Sequence, residues 1–189
     1  QISYFDSINE DLKYAVKSGD TWDTMVVDSD GIVGLYNSLA VDSSGIPHIG
    51  YFDATNADLK YAKKAGASWI SETVYSTGRV GGVTSIVLDS FDNPMISFLD
   101  GSEEYYVLAT KTLDSWSFEN IDQARGESYS DSLALDSNGN LHFSYSGLYR
   151  YLKYAFGSNP PVENNPVNPV HINEAFQTSF STIDFSWNP

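Results

Sequence analysis

One segment, residues 38–62, recurs along the chain at a constant interval, and this repeat limits the possible folds more than any other feature. The interval is 47 residues, as in 49 − 2 = 47 for the isoleucines that open the segments ISYFD and IGYFD. Three sets of landmarks keep it: Ile2, Ile49 and Ile96; Ser38, Ser85 and Ser132; Trp22, Trp69 and Trp116. Repeats of this length are typical of propellers, solenoids and other arrays of one supersecondary unit.

Each unit has the pattern of four short strands separated by turn residues. In the second unit the predicted strands are Ser38–Asp42, Pro47–Asp53, Asp58–Lys63 and Trp69–Tyr75. Apolar and polar residues alternate within them, which is typical of half-buried strands and not of helices. The residues predicted to be buried between sheets are Leu39, Val41, Ile49, Tyr51, Leu59 and Tyr61. The expected fold is therefore all-β, a β-propeller of four-stranded blades.

The periodicity stops after Gly157, which divides the chain into three predicted parts. Residues 1–157 form the blades, and residues 158–169 are a Pro- and Asn-rich linker. Residues 170–189 alternate polar and apolar side chains and end in the segment Ile183–Trp187. This tail resembles the first strands of an immunoglobulin- or fibronectin-like sandwich module.

The predicted propeller is incomplete. The first unit begins at its second strand and the fourth has no recognisable fourth strand, which leaves about three and a half blades where a closed propeller has about four to eight. Closure then needs the remainder of a longer chain, a second copy, or a strand supplied by the tail.

Composition narrows the choice of partners. The formal net charge of −15 argues against nucleic acid, since phosphate recognition needs clustered cations. No apolar run approaches the about 20 residues of a membrane span. Cysteine is absent, so disulfide and thiolate chemistry are excluded. The chain begins at Gln1 with no leader, and either a processed signal or a missing N-terminal part would explain this.

Several recurring residues are explained by structure. The Asp residues of the first hairpin turn, Asp42, Asp89 and Asp136, are expected to accept hydrogen bonds from the turn backbone. The repeated Trp is expected to pack between neighbouring blades, with a sugar-stacking platform as the alternative. His48 and His142 share a position that Met95 occupies in the third unit, so this position predicts no metal site. No cofactor is predicted.

The candidate ligand-binding residues lie in loops. The loop after the second strand is acidic in three units, whereas the fourth carries Tyr149, Arg150 and Tyr151 instead. Arg79 and Arg125 fall in the connections between blades. In a propeller both kinds of loop emerge on one face, where ligands usually bind. These five residues therefore form the predicted site, with exposed loop decoration as the alternative.

The repeat motif SLALD-S-x-G-x-P-H-I-x-Y-x-D followed by DLKYA and Trp resembles the repeats of large extracellular microbial β-propeller proteins. These are similar in architecture to the Asp-box, sialidase-like propellers. The resemblance covers residues 2–157 and implies a propeller that is secreted or attached to the cell surface. The turn Ser18–Trp22 keeps the Trp of an Asp box without its spacing, so the likeness does not extend to a sialidase site.

Three functions follow from these observations. The first is a non-catalytic binding or adhesion module that recognises a glycan or a surface protein through its loop face. The second is a glycoside hydrolase or lyase, and the third a structural element of a surface layer or filament. The first is preferred because no constellation for acid–base or nucleophilic catalysis stands out from the acidic background, and no catalytic residue is predicted.

Overall fold

The computed structural model describes residues 1–124, 131–146 and 152–158 in full, and residues 171–176 at the level of the backbone. Every regular element in these ranges is a strand, as the alternation predicted. The first seven are β1 (Ile2–Asp6), β2 (Asp11–Ser18), β3 (Thr21–Asp28), β4 (Val33–Val41), β5 (Pro47–Asp53), β6 (Asp58–Ala65) and β7 (Ser68–Tyr75). The others are β8 (Val80–Leu88), β9 (Pro94–Asp100), β10 (Tyr105–Thr112), β11 (Ser115–Gln123), β12 (Asp131–Leu135), β13 (Leu141–Ser146), β14 (Leu152–Ser158) and β15 (His171–Phe176).

The strands form four antiparallel sheets in chain order. Sheet 1 contains β1–β3, sheet 2 contains β4–β7, sheet 3 contains β8–β11 and sheet 4 contains β12–β15. Each strand pairs with the next along the chain, so every sheet is a simple meander. The prediction of three strands in the first unit and four in each of the next two is confirmed.

Sheet 4 differs from the prediction at its fourth strand. The segment His171–Phe176 pairs with β14, with Tyr154 opposite Phe176 and Ser158 opposite His171. The fourth strand is therefore present and is supplied by the tail, which was one of the three expected routes to completing the propeller. Sequence periodicity could not find this strand because one period after the start of β11 at Ser115 is residue 162, which lies in the predicted linker and nine residues before His171. Residues 159–170 and 177–189 lie outside the described ranges.

The first strand of the second unit begins five residues before the predicted Ser38. Its pairing with β5 is interrupted by two register shifts between Val33 and Ser38. Gly34 (φ 100°) and Tyr36 (φ 50°) take left-handed backbone angles within this stretch. These bulges break the alternation on which the sequence prediction depended. Val41, the last residue of β4, is 44% exposed, so the prediction that it is buried is wrong.

The core consists of three hydrophobic clusters, one between each pair of consecutive sheets. We call these contacts interface 1 (sheets 1 and 2), interface 2 (sheets 2 and 3) and interface 3 (sheets 3 and 4). Ile49, Tyr51 and Leu12 meet at interface 1, Leu59 and Phe98 at interface 2, and Leu108 and Phe143 at interface 3. The first strands also lie side by side, since Ser38 Oγ accepts from the amide of Ile86 at 3.2 Å.

Two of the three repeated tryptophans pack as predicted. The Trp69 ring meets Tyr14 of sheet 1 at a centroid distance of 5.2 Å, and the Trp116 ring meets Tyr61 of sheet 2 at 5.6 Å. Both pairs are edge-to-face, the geometry that aromatic quadrupoles favour. Trp22 belongs to sheet 1, which no sheet among the described residues precedes, and is 46% exposed.

Interfaces 1 and 3 contain a polar clamp, which is largely buried at interface 1 and partly buried at interface 3. At interface 1 the carboxylate of Asp28 accepts from the Tyr51 hydroxyl at 2.6 Å and from Lys60 Nζ at 2.5 Å. At interface 3 Asp122 accepts in the same way from Tyr145 and Lys153. In each clamp the aspartate lies near the end of the last strand of one sheet. Its tyrosine and lysine partners lie on the two middle strands of the next sheet.

Interface 2 carries an apolar set at the same three positions: Tyr75, Phe98 and Val107. The rings of Tyr75 and Phe98 are 5.2 Å apart, and Phe98 and Val107 are buried. The three positions have therefore changed together.

Candidate binding surface at the loop edge

In the described part of the chain, the loops after the second strand of each unit (residues 7–10, 54–57 and 101–104) and the connections between sheets (residues 29–32 and 76–79) meet along one edge of the sheets, which we call the loop edge. The amide of Val33 donates to Glu10 O at 3.0 Å, and the amide of Ala54 donates to Ile32 O at 2.8 Å. The amide of Gly101 donates to Arg79 O at 2.9 Å. Each connection is thus held between the loops of neighbouring sheets, and the predicted grouping of these two loop types on one side is confirmed.

Several acidic side chains at this edge accept hydrogen bonds from the turn that directly follows them in the chain. Asp53 Oδ1 accepts from the amides of Thr55 (3.0 Å) and Asn56 (3.1 Å), and its other oxygen accepts from Asn56 Nδ2 at 2.9 Å. Asp100 accepts from the amides of Ser102 and Glu103 at 2.9 and 3.1 Å. Both carboxylates are buried. The acidity of these loops thus has a structural cause, the Asx turn.

Asp6 occupies the equivalent position in sheet 1. Lys13 pairs with it at 2.5 Å, and Asn9 Nδ2 donates to it at 2.8 Å. The hydrogen bond from Lys13, followed by that from Asn9, holds the pKa of the Asp6 carboxyl well below its ordinary value. This group therefore stays ionised and engaged in its turn.

Arg79 is the predicted site residue that the structure describes, and it is exposed at the loop edge. Its backbone is fixed, because its amide donates to Ser102 Oγ at 2.6 Å and its carbonyl accepts from Gly101. The preceding Gly78 (φ 83°) has no room for a side chain, since a Cβ would lie 2.4 Å from Ser102 Oγ. Among the described residues nothing accepts a hydrogen bond from the Arg79 guanidinium, which leaves it available to a ligand.

Tyr36 is a second exposed group on this side of the sheets, and the sequence analysis missed it. Its side chain is 55% exposed and its ring lies 6.2 Å from that of Phe52. Its carbonyl accepts from the Thr84 hydroxyl of β8, which joins sheets 2 and 3 at this point. The equivalent residue of sheet 3 is the buried Val83. This departure from the repeat was the available signal, but the bulged backbone that exposes the ring was not visible in the sequence.

The other four predicted site residues, Arg125, Tyr149, Arg150 and Tyr151, lie outside the described residues. Asp131, which follows Arg125 by six residues in the chain, begins β12 and accepts from Ser97 Oγ at 2.7 Å. Burial raises the pKa of its carboxyl to about 6, against the opposing effect of the Ser97 hydrogen bond. Ser3 and Asn37 form the equivalent bond at interface 1, at 2.6 Å. The repeated geometry indicates a link between sheets.

The histidines of the repeat belong to a second polar link. His48 Nδ1 lies 2.6 Å from the Tyr61 hydroxyl, and its Nε2 lies 3.3 Å from Asp42 Oδ2. Burial lowers the pKa of the His48 imidazole, although Asp42 opposes this effect. His142 and Tyr154 repeat the contact at 2.7 Å.

The hairpin turns at the opposite edge have the predicted carboxylate role. Asp42 Oδ1 accepts from the amides of Ser44 and Ile46 at 2.9 and 2.8 Å. Asp136 does the same for Asn138 and Asn140. The hydrogen bond from the Asn140 side chain, followed by that from the Asn140 amide, lowers the pKa of the Asp136 carboxyl to about 2.

No group of three or more His, Cys, Asp or Glu side chains in the described ranges could hold a metal ion. None of the described elements is a helix long and apolar enough to cross a membrane.

Comparison with known proteins gives structural likeness without sequence likeness. No protein-family model matches the chain, and no curated protein matches it. AofleA from Arthrobotrys oligospora superposes with a TM-score of 0.61 at 10% identity, covering 90% of this chain and 52% of AofleA. A variant of AofleA with three arginine-to-alanine substitutions gives a TM-score of 0.62 at 10% identity, with 93% and 53% coverage.

A fucose lectin from Kordia zhangzhouensis, solved with methyl-fucoside, superposes less well. Its TM-score is 0.41 at 15% identity, over 72% of this chain and 96% of the lectin. The likeness to AofleA shows a shared fold. This chain spans about half the length of AofleA.

Proposed function

We propose that this chain is a non-catalytic, glycan-binding part of a β-propeller that is secreted or displayed on a cell surface. Four consecutive meander sheets with their first strands side by side and a core between each pair support the propeller assignment. The shared fold with AofleA, over about half of that protein, is consistent with a partial propeller.

The observation that carries the binding role is the exposed, fixed Arg79 on a loop edge where the carboxylates of Asp6, Asp53 and Asp100 are already engaged in turns. A guanidinium presents a planar fork of donors that matches carboxylates and vicinal hydroxyls. Tyr36 adds an exposed ring, and such rings are common anchors at binding surfaces because they bury apolar area while their hydroxyl stays wet. The Tyr36 carbonyl is bonded to Thr84, five residues along the chain from Arg79, so the two groups belong to the same interface between sheets.

The preference for binding over hydrolysis follows from the carboxylates. Glycosidases use two carboxyl groups flanking the scissile bond. At the described part of the loop edge, Asp6, Asp53 and Asp100 are committed to turns. Asp131 has the raised pKa of an acid catalyst but is bonded to Ser97 in a link that interface 1 repeats.

The test is a glycan array probed with the full 189-residue chain, followed by titration of the best glycan. Arg79→Ala should weaken binding by about 1–3 kcal/mol, because it removes a charge-assisted contact. Arg79→Lys should recover only part of the affinity, since an ammonium lacks the planar fork. The matched control is Phe91→Ala, an exposed ring in a hairpin at the opposite edge, which should leave binding unchanged.

Two results would contradict the proposal. One is an Arg79→Ala dissociation constant equal to that of the wild type. The other is release of reducing sugar from the bound glycan, which would favour the hydrolase alternative.

A further inference from the structure

We infer that Met25 is an oxidation site whose sulfoxide strengthens interface 1 instead of disrupting it. The oxidant is a peroxide, and the added oxygen accepts hydrogen bonds from Trp69 and Lys64 of the next sheet. This inference concerns the packing of sheets 1 and 2 and does not depend on glycan binding.

Interface 2 contains the complete form of this arrangement. Glu72 lies opposite Tyr61 in the pairing of β6 with β7. Its Oε1 accepts from Trp116 Nε1 at 3.1 Å and also from Lys111 Nζ. The Tyr61 ring contacts both donor side chains, since its centroid lies 5.6 Å from the Trp116 ring and 5.6 Å from Lys111 Nζ. One glutamate oxygen therefore satisfies an indole N–H and an ammonium group between two sheets.

Interface 1 has the same donors without the acceptor, at positions 47 residues earlier in the chain. The Tyr14 ring contacts the Trp69 ring at 5.2 Å and Lys64 Nζ at 5.5 Å. Met25 stands where interface 2 has its glutamate, opposite Tyr14 and packed in the same cluster as Trp69. Within the described ranges, Trp69 Nε1 is buried without a hydrogen-bond partner and Lys64 forms no ion pair. A thioether thus occupies the place of the missing oxygen.

Oxidation supplies an oxygen at the corresponding point of the side chain. In Glu72 the acceptor oxygen is bonded to the δ atom, which is a carbon. In methionine sulfoxide the added oxygen is also bonded to the δ atom, which is the sulfur. A buried N–H without an acceptor costs free energy, so a new acceptor at this point stabilises the interface. The Met25 sulfoxide therefore accepts from Trp69 Nε1 as Glu72 accepts from Trp116.

The chemical step transfers one oxygen atom. A lone pair of Met25 Sδ attacks one peroxide oxygen, the O–O bond breaks and an S–O bond forms. The sulfur is oxidised by two electrons, and the other peroxide oxygen takes up the proton and leaves as water. Methionine oxidation of this kind is reversible by sulfoxide reductases. Met25 is partly exposed, whereas Met95, the other methionine of the chain, is 2% exposed, so Met25 reacts first.

The experiment treats the full chain with dilute hydrogen peroxide and then measures urea unfolding. Peptide mapping should find the added oxygen atom on Met25 while Met95 is still reduced. The unfolding midpoint should rise by about 0.5 M, as one additional hydrogen bond would cause. A sulfoxide with no hydrogen-bond partner would lower the midpoint instead, because burying an unpaired polar oxygen is unfavourable.

Two substitutions test the acceptor and the donor separately. Met25→Gln bonds a neutral amide oxygen to the δ atom and should raise the midpoint by a similar amount without peroxide. Trp69→Phe keeps a ring against Tyr14 and removes the indole N–H, so most of the rise caused by peroxide should be lost. The matched control Met25→Leu keeps an apolar side chain of similar size and should not respond to peroxide. Circular dichroism verifies that each variant keeps its sheet content.

The indole proton of Trp69 reports the new hydrogen bond directly. Its NMR signal should move downfield when Met25 is oxidised, while the signal of Trp116, already bonded to Glu72, should not move. A lower midpoint after oxidation of Met25, an unmoved Trp69 signal, or oxidation of Met95 as fast as that of Met25 would each overturn the inference.

Discussion

Interfaces 1 and 2 solve the same packing problem with opposite chemistry. At interface 1 three positions hold Asp28, Tyr51 and Lys60. The Asp28 carboxylate accepts hydrogen bonds from the Tyr51 hydroxyl and the Lys60 ammonium group. At interface 2 the same positions hold Tyr75, Phe98 and Val107. Both interfaces are well packed, so the packing of one sheet on the next does not require the ion pair. It requires that the three residues are compatible with one another, either as a hydrogen-bonded ionic set or as a packed apolar set.

The electrostatics of the two interfaces differ accordingly. Burial alone would raise the pKa of the Asp28 carboxyl, but the hydrogen bonds from Lys60 and Tyr51 outweigh it and hold the pKa below the ordinary value of 3.8. Burial and the nearby Asp28 raise the pKa of the Tyr51 hydroxyl far above its usual range, so it remains a donor. Interface 2 has no such ionised set at these positions, where the rings of Tyr75 and Phe98 pack together. Its ion pair, Lys111 with Glu72, lies at other positions.

The largest effect is expected at the apolar interface. Phe98→Ala should lower the free energy of unfolding by about 3–5 kcal/mol, because Phe98 is fully buried and its loss leaves a cavity. Urea unfolding at pH 7 and fixed protein concentration measures this. Phe91→Ala, at an exposed ring, should change the value by less than about 0.5 kcal/mol. A Phe98→Ala loss as small as that of the control would show that interface 2 is not a packed core.

The next effect is expected from breaking the clamp. Asp28→Ala should cost about 3 kcal/mol, because it leaves Lys60 and Tyr51 without their acceptor in a site where the lysine is only 12% exposed. The matched variant Asp122→Ala should cost less, since its lysine partner is 22% exposed and can reach water. Equal losses at the two sites would contradict the dependence on burial.

The pH dependence distinguishes the clamp from the apolar set. The pKa of Asp28 is lower in the folded chain than in the unfolded chain, so its contribution is present above about pH 4 and is lost as the pH falls through the folded value. The difference in stability between wild type and Asp28→Ala should therefore shrink on acidification. The difference for Phe98→Ala should not.

The smallest effect is expected when the whole set is exchanged. Asp28→Tyr, Tyr51→Phe and Lys60→Val together reproduce interface 2 within interface 1. The triple variant should unfold within about 1 kcal/mol of the wild type, because replacing a buried ion pair by packed apolar groups is often neutral. If the triple variant loses as much free energy of unfolding as Asp28→Ala does, the ion pair itself stabilises interface 1 and apolar packing cannot replace it.

Much of the fold was predictable because each unit repeats the same pattern of alternating strands and turn residues. The strands Pro47–Asp53 and Asp58–Lys63 were predicted almost to the residue, since alternation and flanking turn residues agree there. The start of β4 was not, because left-handed angles at Gly34 and Tyr36 interrupt the alternation. For the candidate site, the sequence indicated the loop edge and Arg79, whereas Tyr36 depended on that irregular backbone.

The sequence by itself determined the period, the all-β class and the number of strands in the first three units. These are local properties, set by alternation and by turn residues that act within a few positions of the chain. The tertiary structure alone decided which distant segment completes sheet 4, which acids serve turns and which join sheets. It also decided that Trp69 is covered while Trp22 is exposed. Identical residues in identical local patterns differ here only in whether another sheet lies against them, and that is a property of packing between segments far apart in the chain.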